Sequence, residues 1–270
     1  MLRRKKTVVT KDTRTDAVDA EAKESPWELV KTVLWALGIA FVLRTFIFQP
    51  FTIPSGSMYP NLVVGDYIIT SKYSVGYGKY AAAPLPFPDV EGRLLGRGPE
   101  RGDVIVFRPK GVRENYIKRV VGFPGDTIQM IDGVVHINGR PNTQVRLEPE
   151  TYQHRRDRRI VEDVPVEVYQ ESLPGADTAH KIYDAQRNGA FDRTSVLTVP
   201  SGHYFVMGDN RDYSLDSRVK VSRGGAGYVP AENIIGRAEF ILVSVNKDFY
   251  LFKPWTWANI NGDRWFKRIE

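Results

Sequence analysis

Asn115-Tyr116-Ile117-Lys118-Arg119-Val120-Val121-Gly122 reads as a β-strand, and the Phe123-Pro124-Gly125-Asp126 that follows is turn chemistry. Further on, Asp132-Gly133 and Asn138-Gly139 are dipeptides that favour two-residue hairpin turns, and Val134–Ile137 lies between them. Consecutive short antiparallel strands are expected here. Val104–Phe107 and residues 204–207 and 238–245 supply further strands, and no helix-period pattern of comparable strength occurs beyond Pro50. The expected fold is mostly β, built on an antiparallel sheet.

The same strand carries chemistry. Alternation puts Lys118 between Tyr116 and Val120 on one face, and Arg119 between Ile117 and Val121 on the other. Both cations have apolar neighbours, but a guanidinium does not deprotonate in proteins, whereas a buried ammonium does. A lysine at its ordinary pKa of about 10.4 is neutral in about one molecule per thousand near pH 7.4, and bringing that pKa to near 7.4 costs about 4 kcal/mol of desolvation. Only a well-packed fold sustains that cost. Taken alone, Lys118 reads equally well as a surface lysine laying its stem on apolar neighbours.

A base needs a nucleophile. Ile53-Pro54-Ser55-Gly56-Ser57-Met58-Tyr59-Pro60 holds serine on a glycine-flanked turn between prolines, a few residues past the strongly hydrophobic segment. A serine hydroxyl attacks nothing until a base takes its proton. The four histidines, His136, His154, His180 and His203, stand in no triad-like pattern, and His203 before residues 204–207 reads as a structural turn residue. The absence of cysteine excludes a thiol nucleophile. Lysine is the remaining ordinary base. No cysteine cluster or His-x-x-Glu-His spacing is present, so neither a catalytic metal nor a cofactor is expected.

At 270 residues, 42% hydrophobic and 26% charged, the chain suits one large domain or one domain with an insertion. Residues 1–26, with Arg3-Arg4-Lys5-Lys6 and few large apolar side chains, read as a disordered tail. A transmembrane helix is expected over 27–49, ending near Pro50, with Arg44 close enough to its end to reach the headgroups. No Ala-x-Ala-like site follows it, which favours an anchor over a cleaved signal peptide. The basic residues before it place the tail in the cytoplasm and the serine turn across the membrane. Residues 78–99, rich in Pro, Gly and Ala, suggest an extended loop or β-ribbon; Trp255, Trp257 and Trp265 suit either the headgroup region or packing against the sheet. The formal charge of +6 and the arginines around His154 raise nucleic-acid binding, but no zinc-finger, helix-turn-helix or RNA-recognition pattern accompanies them. Anionic lipid accounts for such a surface, and no nucleic-acid partner is expected.

Ser55-Gly56-Ser57-Met58 with Pro60, Gly65-Asp66, Arg101-Gly102-Asp103-Val104, Tyr116-Ile117-Lys118-Arg119 and Gly208-Asp209-Asn210-Arg211-Asp212-Tyr213-Ser214-Leu215-Asp216-Ser217-Arg218 follow one another along the chain. In this order they resemble bacterial type I signal peptidases, membrane-anchored Ser-Lys proteases that cut signal peptides from secreted preproteins after small residues, in the Ala-x-Ala manner. The resemblance implies Ser57 as nucleophile, Lys118 as general base, Ser55 and the Ser57 amide as oxyanion donors, and Ser214 as the hydroxyl that orients the lysine. It implies pocket walls from Phe51, Ile53, Pro54, Met58, Leu62, Ile68, Val106, Tyr116 and Ile117, and ion-paired scaffolding from Asp209, Arg211, Asp216 and Arg218. It further implies a catalytic β domain of residues 50–141 and 197–270, with an inserted smaller β-rich variable domain at 142–196. The partners implied are secretory preproteins and the lipid bilayer, and the place is the bacterial cytoplasmic (inner) membrane, single-pass, with the catalytic domain on the extracytoplasmic side. Two features depart from the family pattern: Tyr213 stands where asparagine is common, and residues 219–227 lengthen the following loop. The competing readings are a dedicated processing peptidase of the same clan and a catalytically silent membrane-anchored β scaffold.

Overall fold

A computed structural model describes residues 26–82, 92–156, 159–186, 188–245 and 261–270. The N-terminal tail, much of the Pro/Gly/Ala-rich stretch, the centre of the arginine-rich segment, Trp255 and Trp257 lie outside the described residues. The chain divides into two units, Met1–Phe41 and Val42–Glu270.

Helix α1 spans Pro26–Val42, and none of its residues is buried. Apolar side chains such as Leu34, Trp35 and Leu37 stand more than half exposed. With the π-helical turn Leu43–Ile47 it makes a 22-residue stretch, long and apolar enough to cross a membrane. The helix stops short of the expected end: residues 48 and 49 already belong to a strand, and Pro50 lies inside it. That strand is at the edge of its sheet, where a missing N–H is tolerated.

The second unit is antiparallel β throughout. Its strands, in chain order, begin with β1 Phe48–Thr52, β2 Asp66–Ser71, β3 Val104–Phe107 and β4 Tyr116–Gly122. Then come β5 Thr127–Ile131, β6 Val134–Ile137, β7 Arg140–Pro141, β8 Thr143–Arg146, β9 Glu150–Arg156, β10 Arg159–Ser172 and β11 His180–Asp184. The last are β12 Leu197–Thr198, β13 His203–Met207, β14 Val229–Pro230, β15 Ile234–Ser244 and β16 Lys267–Arg268. The main sheet runs β1-β2-β15-β3-β4-β13-β14, with β16 on β15. A small sheet of order β12-β5-β6-β7 comes from the two hairpin signals, whose turn residues Asp132, Gly133, Asn138 and Gly139 all take positive φ, as two-residue hairpins require. Residues β8 to β11 form a third sheet, in which the long β10 pairs with β9 along its first half and with β8 and β11 along its second. Its strands all fall within residues 142–196.

Strand β4 sits inside the main sheet between β3 and β13, and apart from half-buried Tyr116 its residues are buried. One face packs Val104, Val106, Ile117, Ile235, Ala238 and Ile241 with Ile53, Met58, Leu62 and Ile68 beneath the serine turn. The third sheet contributes Tyr152, Val166, Val168 and Tyr183 to a separate apolar cluster, against which Tyr59 and Tyr213 pack. Burial at roughly 25 cal/mol per Å² of apolar surface is what holds such layers together.

Candidate active site

Ser57 and Lys118 are 61 residues apart in sequence, and the Lys118 Nζ donates to Ser57 Oγ at 2.7 Å. Its second partner is the carbonyl of Ile117 at 2.9 Å. Both residues are buried, Ser57 at 8% and Lys118 at 5% exposure. The lysine stands on an interior strand, in register with Ile105 of β3, so its backbone has no freedom to wander. The serine turn is held from the other side: Asn210 N donates to Ser57 O and Asn210 Nδ2 to Gly56 O, each at 3.1 Å.

Two glycines make these approaches possible. A Cβ on Gly208 would stand 2.2 Å from Ser214 Oγ and 2.5 Å from Ser57 O, and one on Gly56 would stand 2.2 Å from the Tyr152 hydroxyl. The absent methyl at each site lets the turn, the 208–218 loop and β9 close on one another.

Burial pulls the Lys118 pKa down to about 8, against the opposing pull of Asp216 and Asp209, with Arg218 adding to the depression. At that value about a fifth of the amine is neutral near pH 7.4. A neutral amine keeps its contact with the hydroxyl but reverses the bond, so Oγ–H donates to Nζ, the arrangement that activation of a hydroxyl requires.

Buried ion pairs surround the two residues. Arg119, on the opposite face of β4, donates from Nε and Nη2 to the two Asp209 oxygens at 2.8 and 2.7 Å. Burial opposes the charge on Asp209, yet Arg119 and Asn61 hold its pKa below the usual range. Arg211 grips Glu171 of β10 with two donors, and Arg218 grips Asp216 with two at 2.9 and 2.8 Å. Asp216 in turn accepts the Gly208 N–H at 3.0 Å, which ties the loop to the site. His180 lies 3.4 Å from Glu171 Oε2, and burial together with Arg119 pushes its pKa down.

A cavity of about 380 Å³ opens beside the hydroxyl, lined among others by Ser55, Ser57, Lys118, Tyr116, Ile117 and Pro54. Tyr152 and His154 of β9 and Tyr213 also line it. Of the sequence-derived pocket residues, Pro54, Tyr116 and Ile117 are at this cavity. Ile53, Met58, Leu62, Ile68 and Val106 lie in the core cluster, with Phe51 packed against it. Ser214 is buried beside the turn, and among the described residues its hydroxyl has no hydrogen-bond partner, Lys118 included. The side chains of the expected scaffolding residues are all buried, but Asp209 and Arg211 pair with Arg119 and Glu171 rather than with each other. Sequence reasoning missed these two partners and the Asn210 clamp. Asn210 lay within a quoted motif, and the signal available was its place next to Asp209.

Comparison with known proteins adds a lineage to this geometry. The family model described as signal peptidase, peptidase S26, matches residues 26–243. A Signal peptidase I of Rickettsia typhi (strain ATCC VR-144 / Wilmington) is 43% identical over 250 residues, covering 86% of this chain and 89% of that protein. One of Rickettsia felis (strain ATCC VR-1525 / URRWXCal2) is 41% identical over 213 residues, covering 76% and 75%. The crystal structure of a signal peptidase I from Enterococcus faecalis V583 is 27% identical, covers 52% of this chain and 97% of that one, and gives a TM-score of 0.28. With the family model spanning most of its length and relatives above 40% identity over three quarters of it, the chain belongs to the signal peptidase family, peptidase S26.

Proposed function

We propose that this chain removes N-terminal signal peptides from secreted preproteins, with Ser57 as nucleophile and neutral Lys118 as general base. The observation that carries the reading is the 2.7 Å contact between Lys118 Nζ and Ser57 Oγ inside a buried site that opens on a cavity. Oγ attacks the scissile carbonyl as its proton passes to Nζ. The Ser57 N–H and the Ser55 hydroxyl receive the oxyanion, and one such donor is worth roughly 3 to 4 kcal/mol in other acyl-transfer enzymes. The lysine ammonium then protonates the leaving amine, and a water that Lys118 deprotonates releases the acyl group. Ser214, buried alongside, accepts a hydrogen bond from the Lys118 ammonium and orients it as the amine turns between these duties.

The cavity between Pro54, Tyr116 and Ile117 is where small side chains before the scissile bond fit, which gives the Ala-x-Ala preference. Helix α1 with its π-helical turn anchors the chain in the bacterial cytoplasmic membrane, with the tail inside and the catalytic domain outside. In this reading residues 50–141 and 197–270 carry catalysis, and 142–196 supply an inserted wall.

The test is cleavage of several unrelated preproteins by the full chain in detergent. Wild type cuts each at a small-x-small site, and Ser57→Ala leaves all of them intact. A folded wild-type protein that cuts none of them would return the chain to the scaffold reading; one that cuts a single preprotein would make it a dedicated processing peptidase.

A further inference from the structure

Away from the Ser57 cavity, three carboxylates converge with no cation between them. Asp184 ends β11, Asp192 sits in the loop after it, and Asp212 belongs to the 208–218 loop; one oxygen from each lies within 4.8 Å of the others. Asp184 and Asp192 are buried, at 8% and 2% exposure. The Asp184 Oδ1 has no hydrogen-bond donor among the described residues. The neighbouring arginines are engaged elsewhere: Arg193 with Asp132 and Arg218 with Asp216. Backbone N–H groups hold the cluster in shape without neutralising it. Ala185 N and Gln186 N donate to Asp212 Oδ2 at 2.7 and 3.0 Å, and Gly189 N donates to Asp192 Oδ2 at 2.7 Å. The Asp132-Gly133 turn closes one side, where a Gly133 Cβ would stand 3.4 Å from Asp184 Oδ2.

We propose that Asp184, Asp192 and Asp212 form a structural site for an oxygen-seeking divalent cation, Ca²⁺ above all, that fastens the insertion to the loop carrying Ser214 and Asp216. Three mutually close carboxylates, two of them buried and one with a donor-less oxygen, lack what a buried charge demands, a counter-ion. Oxygens bound to one Ca²⁺ at about 2.4 Å can stand up to about 4.8 Å apart, and Ca²⁺ accepts the irregular geometry of ligands drawn from separate loops, whereas Mg²⁺ demands a near-ideal octahedron. None of the three carboxylates lines the Ser57 cavity, and the site does not depend on the reading of Ser57 and Lys118.

The experiment is thermal unfolding of the full chain in detergent, stripped of cations with EDTA and then titrated with CaCl₂. At a hundredfold excess over the dissociation constant, mass action raises the wild-type midpoint by about 5 to 10 °C, and Asp184→Asn and Asp192→Asn remove that rise. Terbium, a Ca²⁺ probe excited through nearby Tyr213, luminesces on the wild type and is displaced by Ca²⁺; this arm holds even where a variant fails to fold. A wild-type midpoint indifferent to Ca²⁺, a rise of equal size in Asp184→Asn, or absence of a displaceable terbium signal overturns the proposal.

Discussion

Two lysines are buried among the described residues, and they live in different worlds. Lys72, immediately after β2, is fully buried, and its Nζ donates to the carbonyls of Arg44, Thr45 and Ala81 at 3.0, 2.9 and 2.5 Å. Two of those carbonyls belong to the π-helical turn that continues α1, the negative pole of a helical stretch. Lys118 faces one carbonyl and one hydroxyl beside a cavity. Burial lowers both pKa values to about 8, Arg44 adding to the depression at Lys72. The two amines share a pKa and differ in partners. Three carbonyls satisfy all three protons of an ammonium and give it nothing to activate, whereas a serine gives Lys118 a proton to take. A depressed pKa marks a candidate site, and the neighbour decides what it does.

The sharpest way to break the comparison is at the site itself. Ser57→Ala, Lys118→Ala and Lys118→Arg each lower preprotein cleavage by on the order of 10⁴-fold or more, with circular dichroism unchanged. Appreciable turnover by the arginine variant would contradict a neutral-amine mechanism. Arg119→Met leaves Asp209 charged, buried and without its main partner, which costs about 3 to 5 kcal/mol of stability in denaturant unfolding. Lys72→Met leaves three carbonyls without their donor and costs about 3 kcal/mol in the same measurement, while cleavage per folded molecule stays within a few-fold of wild type. A collapse of turnover in folded Lys72→Met would erase the distinction between the two lysines.

The pH profile separates them once more. On the proposed mechanism Lys118 works as the free amine, so kcat/KM rises about tenfold per pH unit from below and levels off above about pH 8. Stability responds to both. Each folded pKa lies beneath its unfolded value, so each lysine weakens the fold below about pH 8, and the penalty fades as pH climbs from there towards 10.5. In Lys72→Met the rate profile keeps its shape, and only the stability profile flattens.

Much of this was legible from residue order, for reasons that differ by element. Val134–Ile137 emerged as a strand with its expected bounds because the dipeptides on either side leave little choice of turn. The β15 strand begins at Ile234, ahead of its expected start, since Gly236 looks like a break in the sequence but in the fold lets the strand pass close to Ser71. Lys118 was singled out over Arg119 by acid-base chemistry alone. The salt partners were hidden, because Arg119 meets Asp209 across 90 residues and Arg211 meets Glu171 across 40. Position along a strand also does not separate pocket from core: Met58, Leu62 and Ile68 are apolar, follow the serine turn and are fully enclosed.

Lys118 and Arg119 are consecutive on β4 and face opposite ways, the first to the Ser57 hydroxyl and the second to the Asp209 carboxylate. A slip of that strand by a single residue would exchange them, presenting Ser57 with a cation that never yields a proton. The forked grip on Asp209 therefore does more than neutralise a charge. It proofreads the alignment of β4, so a misregistered chain is unstable as well as inactive.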